Sequence, residues 1–217
     1  MKKALLAVFL LTTSAIPATA GSITIDSTNC NSSGGNCYGL SWTLDIISGI
    51  FTGTGGTYNY QATLVVEDDP FSTTNSSGQI ISAVAFKATN SLTSGELISA
   101  PTGTGPWSTS LKNLASLGCV GGSDDFVCSS TTGAEAITGG TLRWKWYFSS
   151  PDPGVGEAGD DMKIGAKMTT LDPLVRGKLM SAHATVTAVP EPSSLSLFGF
   201  GVAGLLARAR KRFRNRS

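Results

Sequence analysis

The sequence predicts an all-β fold, an antiparallel β-sandwich with the jelly roll as its nearest variant, and three observations carry that expectation. Short runs alternate apolar and polar residues with a period of two. Clusters of Gly, Ser, Asn and Pro separate those runs, as turns between short strands require. Helical periodicity is scarce along the chain, so layered sheets are the natural way to bury one face of each strand.

Taken in order, the first element is a processing segment rather than part of the fold. Lys2 and Lys3 precede an apolar run from Ala4 to Leu11, and small residues at Ala18 and Ala20 suit a signal peptidase. Residues 1–20 are therefore expected to be a signal peptide cut before Gly21. The apolar run is too short to span a hydrocarbon core of about 30 Å. About 170 residues lie between this segment and a second one at the C-terminus, enough for one domain, 21–188, with a real core.

Within that domain the strand candidates are Ser22–Asp26, Gly39–Ile46, Tyr58–Val66, Ile80–Ala88, Leu142–Phe148, Lys163–Thr169 and Ala182–Val189. In the third, Tyr58, Tyr60, Ala62, Leu64 and Val66 share a face, and Glu67-Asp68-Asp69-Pro70 ends the run. In the fifth, Leu142, Trp144, Trp146 and Phe148 face one way and Arg143, Lys145 and Tyr147 the other. One short helix is expected near 110–117, because Leu111, Leu114 and Leu117 recur every three residues and Gly118 stands where a C-cap belongs.

Four cysteines fall in two close pairs, Cys30 with Cys37 and Cys119 with Cys128. An exported chain with even, locally paired cysteines reads as disulfide-bonded, although four cysteines allow three connectivities. A structural zinc site would want tighter Cys spacing or nearby histidines, and His183 is the single histidine. Each bridge closes a short loop, for roughly 2 to 3 kcal/mol.

Charge narrows the partners. Residues 21–189 hold eight Lys and Arg against fourteen Asp and Glu, a net charge near −6. That sign repels phosphate backbones, so no nucleic acid is expected. Catalytic chemistry is poorly served too. His183 is the one candidate base, on a polar strand face, and no Gly-x-Ser-x-Gly elbow is present. No catalytic residue, enzyme activity or cofactor is therefore expected. Acidic clusters occur at 67–69, 124–125 and 157–161. Solvated loop acids are the simplest reading; Glu157, Asp160 and Asp161 in a glycine-rich loop are a weak calcium candidate without an EF-hand spacing. Of the four tryptophans, Trp107 follows a Gly/Pro loop and is the one candidate for a sugar contact, against local packing.

The C-terminal segment, 189–217, has three parts in order. Val189-Pro190-Glu191-Pro192 is extended by its prolines. Residues 195–207 are apolar and glycine-studded, and six basic residues follow from Arg208 to Arg216. The apolar part spans only about 20 Å as a helix, marginal for a permanent anchor, and the basic end would stay cytoplasmic. Here the sequence resembles the PEP-CTERM class of exported proteins. The resemblance implies recognition by an exosortase, a membrane-embedded cysteine protease-transpeptidase, with processing near Pro190 to Pro192. It implies the export machinery as a further partner, transient inner-membrane contact through 195–207, and delivery to the surface or exopolysaccharide matrix of a Gram-negative host. It implies nothing about residues 21–188. The expectation for those is a non-catalytic structural or adhesive component of the surface or matrix. The alternatives are a carbohydrate-binding module holding exopolysaccharide, and a carboxylate-dependent polysaccharide hydrolase.

Overall fold

In the computed structural model the described residues are 20–30, 37–47, 56–72, 79–101, 106–115, 118–122, 125–137, 140–170 and 178–188. Most of the predicted signal segment and the whole of the C-terminal segment from Val189, with its expected sorting helix, lie outside them. Among the described residues there are eleven strands: β1 (Ala20–Ile25), β2 (Leu40–Ile47), β3 (Tyr58–Asp68), β4 (Gln79–Lys87), β5 (Ser94–Ser99), β6 (Trp107–Leu111), β7 (Val127–Ile137), β8 (Leu142–Ser150), β9 (Asp161–Thr170), β10 (Lys178–Thr185) and β11 (Thr187–Ala188).

They form two antiparallel sheets. The first runs β11-β1-β2-β3-β8-β5 and the second β10-β9-β4-β7-β6. β3 pairs with β8, β4 pairs with β7, and the free edges β5 and β6 pack against each other. That nesting is a long hairpin rolled across both sheets, the order a jelly roll has. On the far side, β10 and β11 form nearly one segment that passes from the second sheet to the first at Val186, whose N–H bonds the Asp160 carbonyl at 2.8 Å.

The alternation read from sequence is what builds the core. Tyr60, Ala62, Leu64 and Val66 of β3 and Trp144, Trp146 and Phe148 of β8 are buried, and β2 adds Trp42 and Leu44. The second sheet meets them through Phe86, whose ring lies 5.2 Å from that of Trp146 and 5.5 Å from that of Phe148. Such offset and edge-on ring pairs contribute beyond their buried area. Truncating any one of these buried tryptophans to alanine costs about 3 to 5 kcal/mol.

Two differences from expectation stand out. The helix near 110–117 does not form in the described residues. Ser110 and Leu111 belong to β6, Leu111 pairing with Val127, and Lys112 to Leu114 are irregular. Ala115 and Gly118 then make a tight antiparallel bridge, with N–H···O contacts of 2.8 and 2.9 Å. The leucine spacing lost because Leu111 buries more by joining a sheet than in a two-turn helix, which is marginal alone. Second, β3 continues through Glu67 and Asp68, because the two side chains stay exposed while their backbones pair with Ser41 and Leu40.

Candidate functional site

Among the described residues, the side chains that could do chemistry lie on two surfaces, in two stapled loops and in the loop between β8 and β9. The first loop joins β1 to β2. Cys30 and Cys37 are bridged, with their Cα atoms 5.7 Å apart. Cys37, Tyr38 and Gly39 have φ of 45°, 58° and 76°, a left-handed turn in which two residues carry side chains. Each such residue costs roughly 1 to 2 kcal/mol relative to a right-handed one. The turn is held from outside by Gln79 Nε2, which donates to the Tyr38 carbonyl at 2.7 Å. Burial also pushes the Tyr38 hydroxyl above its ordinary pKa.

Asp69 locks the same corner. It is 5% exposed, and its carboxylate accepts the Ser27 N–H at 2.9 Å and the Phe71 N–H at 2.8 Å. Burial alone would raise its pKa. Hydrogen bonds from the Ser27 side chain and from the two backbone N–H groups outweigh that and hold it below the usual carboxylate value.

The remaining acids are spread out and locally occupied. Asp160 Oδ2 accepts the Gly156 N–H at 2.9 Å. Asp161 faces His183, Oδ1 to Nδ1 3.1 Å, both exposed on the second sheet. Glu157 folds over Gly154, its carboxyl carbon 3.0 Å from where a Cβ would stand. Asp152 Oδ1 accepts the Gly154 N–H at 3.0 Å, and Tyr60, whose hydroxyl burial pushes up to about 12, donates to the Asp152 carbonyl. Among the described residues no three His, Cys, Asp or Glu side chains gather as a metal site would need. Asp125 pairs with Lys87 at 3.2 Å; Asp124 lies outside the described residues.

Trp107 begins β6 and is half-buried. Its ring meets Trp144 edge-on, with centroids 5.5 Å apart, so local packing holds it. Beside it a groove of about 410 Å³ opens on the outer face of the second sheet. Ser108 and Ser130, register partners across β6 and β7, face each other there, with Ser82 of β4 and Lys167 of β9 beyond them. Thr131 and Thr132 form one rim, where β7 bulges away from β4, and Pro106 and Trp107 form another. The wall is Gly118, next to the Cys119–Cys128 bridge. Its φ of +104° favours glycine, and a Cβ there would approach the Ser130 Cβ to 3.8 Å. Sequence reasoning named Trp107 and missed the hydroxyls, whose strands β6 and β7 carry no apolar alternation.

The second surface is the outer face of the first sheet. Tyr147 is 51% exposed there, between its register partners Gln61 and Glu96 and flanked along β8 by Arg143 and Lys145.

The first and last described strands, β1 and β11, meet at one edge of the first sheet. Gly21 pairs with Ala188 and Ser22 with Thr187. Ala20 still belongs to β1, opposite Ile47, so a cut before Gly21 would leave five residues of that strand. Gly21 packs so closely on Gly156 that a Cβ would stand 2.0 Å from the Gly156 carbonyl oxygen. Ala18 lies outside the described residues, as do Val189, Pro190, Glu191 and Pro192. Among the described residues no helix is long and apolar enough to cross a membrane.

Comparison with known proteins locates one family model, the PEP-CTERM protein-sorting motif, on residues 188–211. It spans Val189 to Pro192, the apolar stretch and the start of the basic end. That motif implies an exported protein sorted and processed by an exosortase, and the two disulfides are consistent with an extracytoplasmic location. No curated protein matches the chain. A solved structure described as "pH-induced modulation of Streptococcus parasanguinis adhesion by Fap1 fimbriae" aligns at 13% identity over 80% of this chain and 98% of that one, with a TM-score of 0.34. A likeness that slight carries no argument about function.

Proposed function

We propose that this chain, which carries a PEP-CTERM protein-sorting motif, is a non-catalytic structural or adhesive protein of the cell surface or extracellular matrix. One observation carries the reading: the motif begins at the residue where β11 ends, and β11 is paired to β1. The sorting segment thus leaves a finished sandwich without an intervening domain, so the sandwich itself is what an exosortase delivers. The two bridges, the carboxylates used as turn caps, and the polar outer faces suit a durable extracellular domain. The signal segment 1–20 and a transient inner-membrane stay through 195–207 belong to the same proposal.

The test is an intact mass, with and without reduction, on protein from hosts with and without an exosortase. The expected product starts at Gly21, ends near Pro190 to Pro192, and gains about 4 Da on reduction. Retention of residues through Ser217 in the exosortase-bearing host would sink the proposal.

A second reading is a module that retains secreted polysaccharide. The hydroxyl-lined groove beside Trp107 favours it, since hydroxyls that both donate and accept suit sugar rings. Retardation of the protein in gels containing polysaccharide tests it, and unchanged mobility in every such gel would remove it. Glycosidase action by the acids at 157–161 has less support, because Asp160 caps the Gly156 N–H and Asp161 faces His183.

A further inference from the structure

We propose that the groove on the second sheet takes an acidic glycan, with Lys167 as the group that selects its negative charge. The inference rests on the polysaccharide-retaining reading and adds the sign of the ligand and the residue that reads it.

The charge pattern is the first argument. The domain is acidic overall, yet among the described residues that line the groove there is no Asp or Glu and there is one lysine, Lys167. The two ion pairs among the described residues, Lys87–Asp125 and His183–Asp161, leave Lys167 out. Lys167 is half-buried and shares the groove with neutral hydroxyl residues, so its positive charge keeps its attraction for an incoming anion. Nearby carboxylates would have cancelled it.

The hydroxyls are the second argument. Ser82 Oγ and Ser108 Oγ reach backbone carbonyls only at 3.4 Å, the long limit of a hydrogen bond. Both can turn to a better partner. Ser130 and Thr132 add two more groups along the same opening. A row of exchangeable donors and acceptors with one fixed cation matches a chain bearing many hydroxyls and spaced anions. It matches a peptide less well, because five of the nine lining residues carry hydroxyls and the two apolar side chains, Pro106 and Trp107, stand together at one rim.

The geometry is the third. Lys167 is the register partner of Ala83 in β4, immediately past the bulge that also displaces β7. Ser82, in that bulge, donates to the Lys167 carbonyl and so ties the two strands where the cation stands. The same irregularity therefore opens the groove and sets the lysine at its end.

The test uses the full chain, expressed with both processing segments in an exosortase-bearing host, in affinity gels containing alginate, dextran sulfate or dextran. Alginate is expected to retard the protein and dextran to leave it unretarded. Lys167→Gln should weaken alginate retardation at least five-fold. Ser108→Tyr, which fills the opening from an exposed edge-strand position, should do the same. Lys163→Gln removes an equal charge from the same strand about 13 Å away and should change nothing. Stronger retardation by dextran sulfate, still dependent on Lys167, would assign a sulfated rather than a uronate glycan and keep the proposal. Equal retardation by dextran and alginate would overturn the charge selection and leave the polysaccharide reading standing. No retardation in any gel would overturn both. Loss with Lys163→Gln but not Lys167→Gln would place binding elsewhere and overturn this site.

Discussion

The two disulfides make a natural comparison, because they are chemically alike and sit in unlike places. Each joins a buried cysteine, Cys37 or Cys128, to a partly exposed one seven or nine residues away. The Cys30–Cys37 bridge holds a left-handed turn whose Gly39 carbonyl accepts the Asp69 N–H at 2.9 Å, so it is wired into a buried carboxylate and the core edge. The Cys119–Cys128 bridge instead pins an irregular loop across the outside of the second sheet, beside the groove. Chain entropy treats the two as equals; their surroundings do not. One bridge is a part of the fold's frame, and the other shapes a surface.

Removing each bridge is the strongest way to break that comparison. Cys30→Ser with Cys37→Ser, and separately Cys119→Ser with Cys128→Ser, should each lower unfolding free energy by about 2 to 3 kcal/mol in denaturant titrations. The difference should appear in hydrogen exchange. The first double variant should lose protection at Ser27, Asp69 and Phe71, and the second mainly at Ala115, Gly118, Val120 and Gly121 with the groove altered. The same exchange pattern in both would end the distinction.

Asp69→Asn sharpens the frame side. The amide can accept only one of the two N–H groups well, for an expected loss of about 2 kcal/mol. The pH dependence has a definite sign. Because the folded pKa of Asp69 is depressed, its stabilisation is present above the unfolded-state carboxylate pKa and is lost as pH falls through the folded value. Thermal melts should therefore show the wild type losing its advantage over Asp69→Asn on acidification, with the curves converging at the acid end. A gap that is constant with pH would refute the assignment.

The smallest effect is expected between the two regions. Ser129 is fully buried, its Oγ 2.8 Å from Trp146 Nε1 and 2.6 Å from Thr109 Oγ1. Ser129→Ala leaves the indole N–H without that acceptor and should cost about 1 to 2 kcal/mol. A blue shift in tryptophan emission should accompany it, without change at either disulfide. An unchanged melt would show that the bond adds nothing net.

Ser129 also explains what could be read in advance. Strands whose inward positions are apolar, such as those with Leu64 or Trp144, were legible because alternation of hydrophobicity mirrors the pleat. β6 and β7 were not, because their inward positions include Thr109 and Ser129, polar residues that satisfy each other and an indole rather than packing as hydrocarbon. β5, with Ser94, Glu96 and Ser99, is an exposed edge strand whose pattern no core imposes. The disulfide partners were readable from proximity along the chain. The groove was not, since Ser82, Ser108, Ser130 and Lys167 come from four strands and meet only through pairing and a bulge.

The pairing of Gly21 with Ala188 has a mechanical consequence. A pull entering at residue 189 acts first on β11, which holds β1 through two residue pairs. Such a pull would open those bonds in succession, like a zipper, and next reach Val186, where the chain crosses between sheets. The four strands that line the groove belong to the other sheet and are not the first to be loaded. Tension applied at residue 189 would thus be spent on the two-residue β11 before it distorts the strands of the groove.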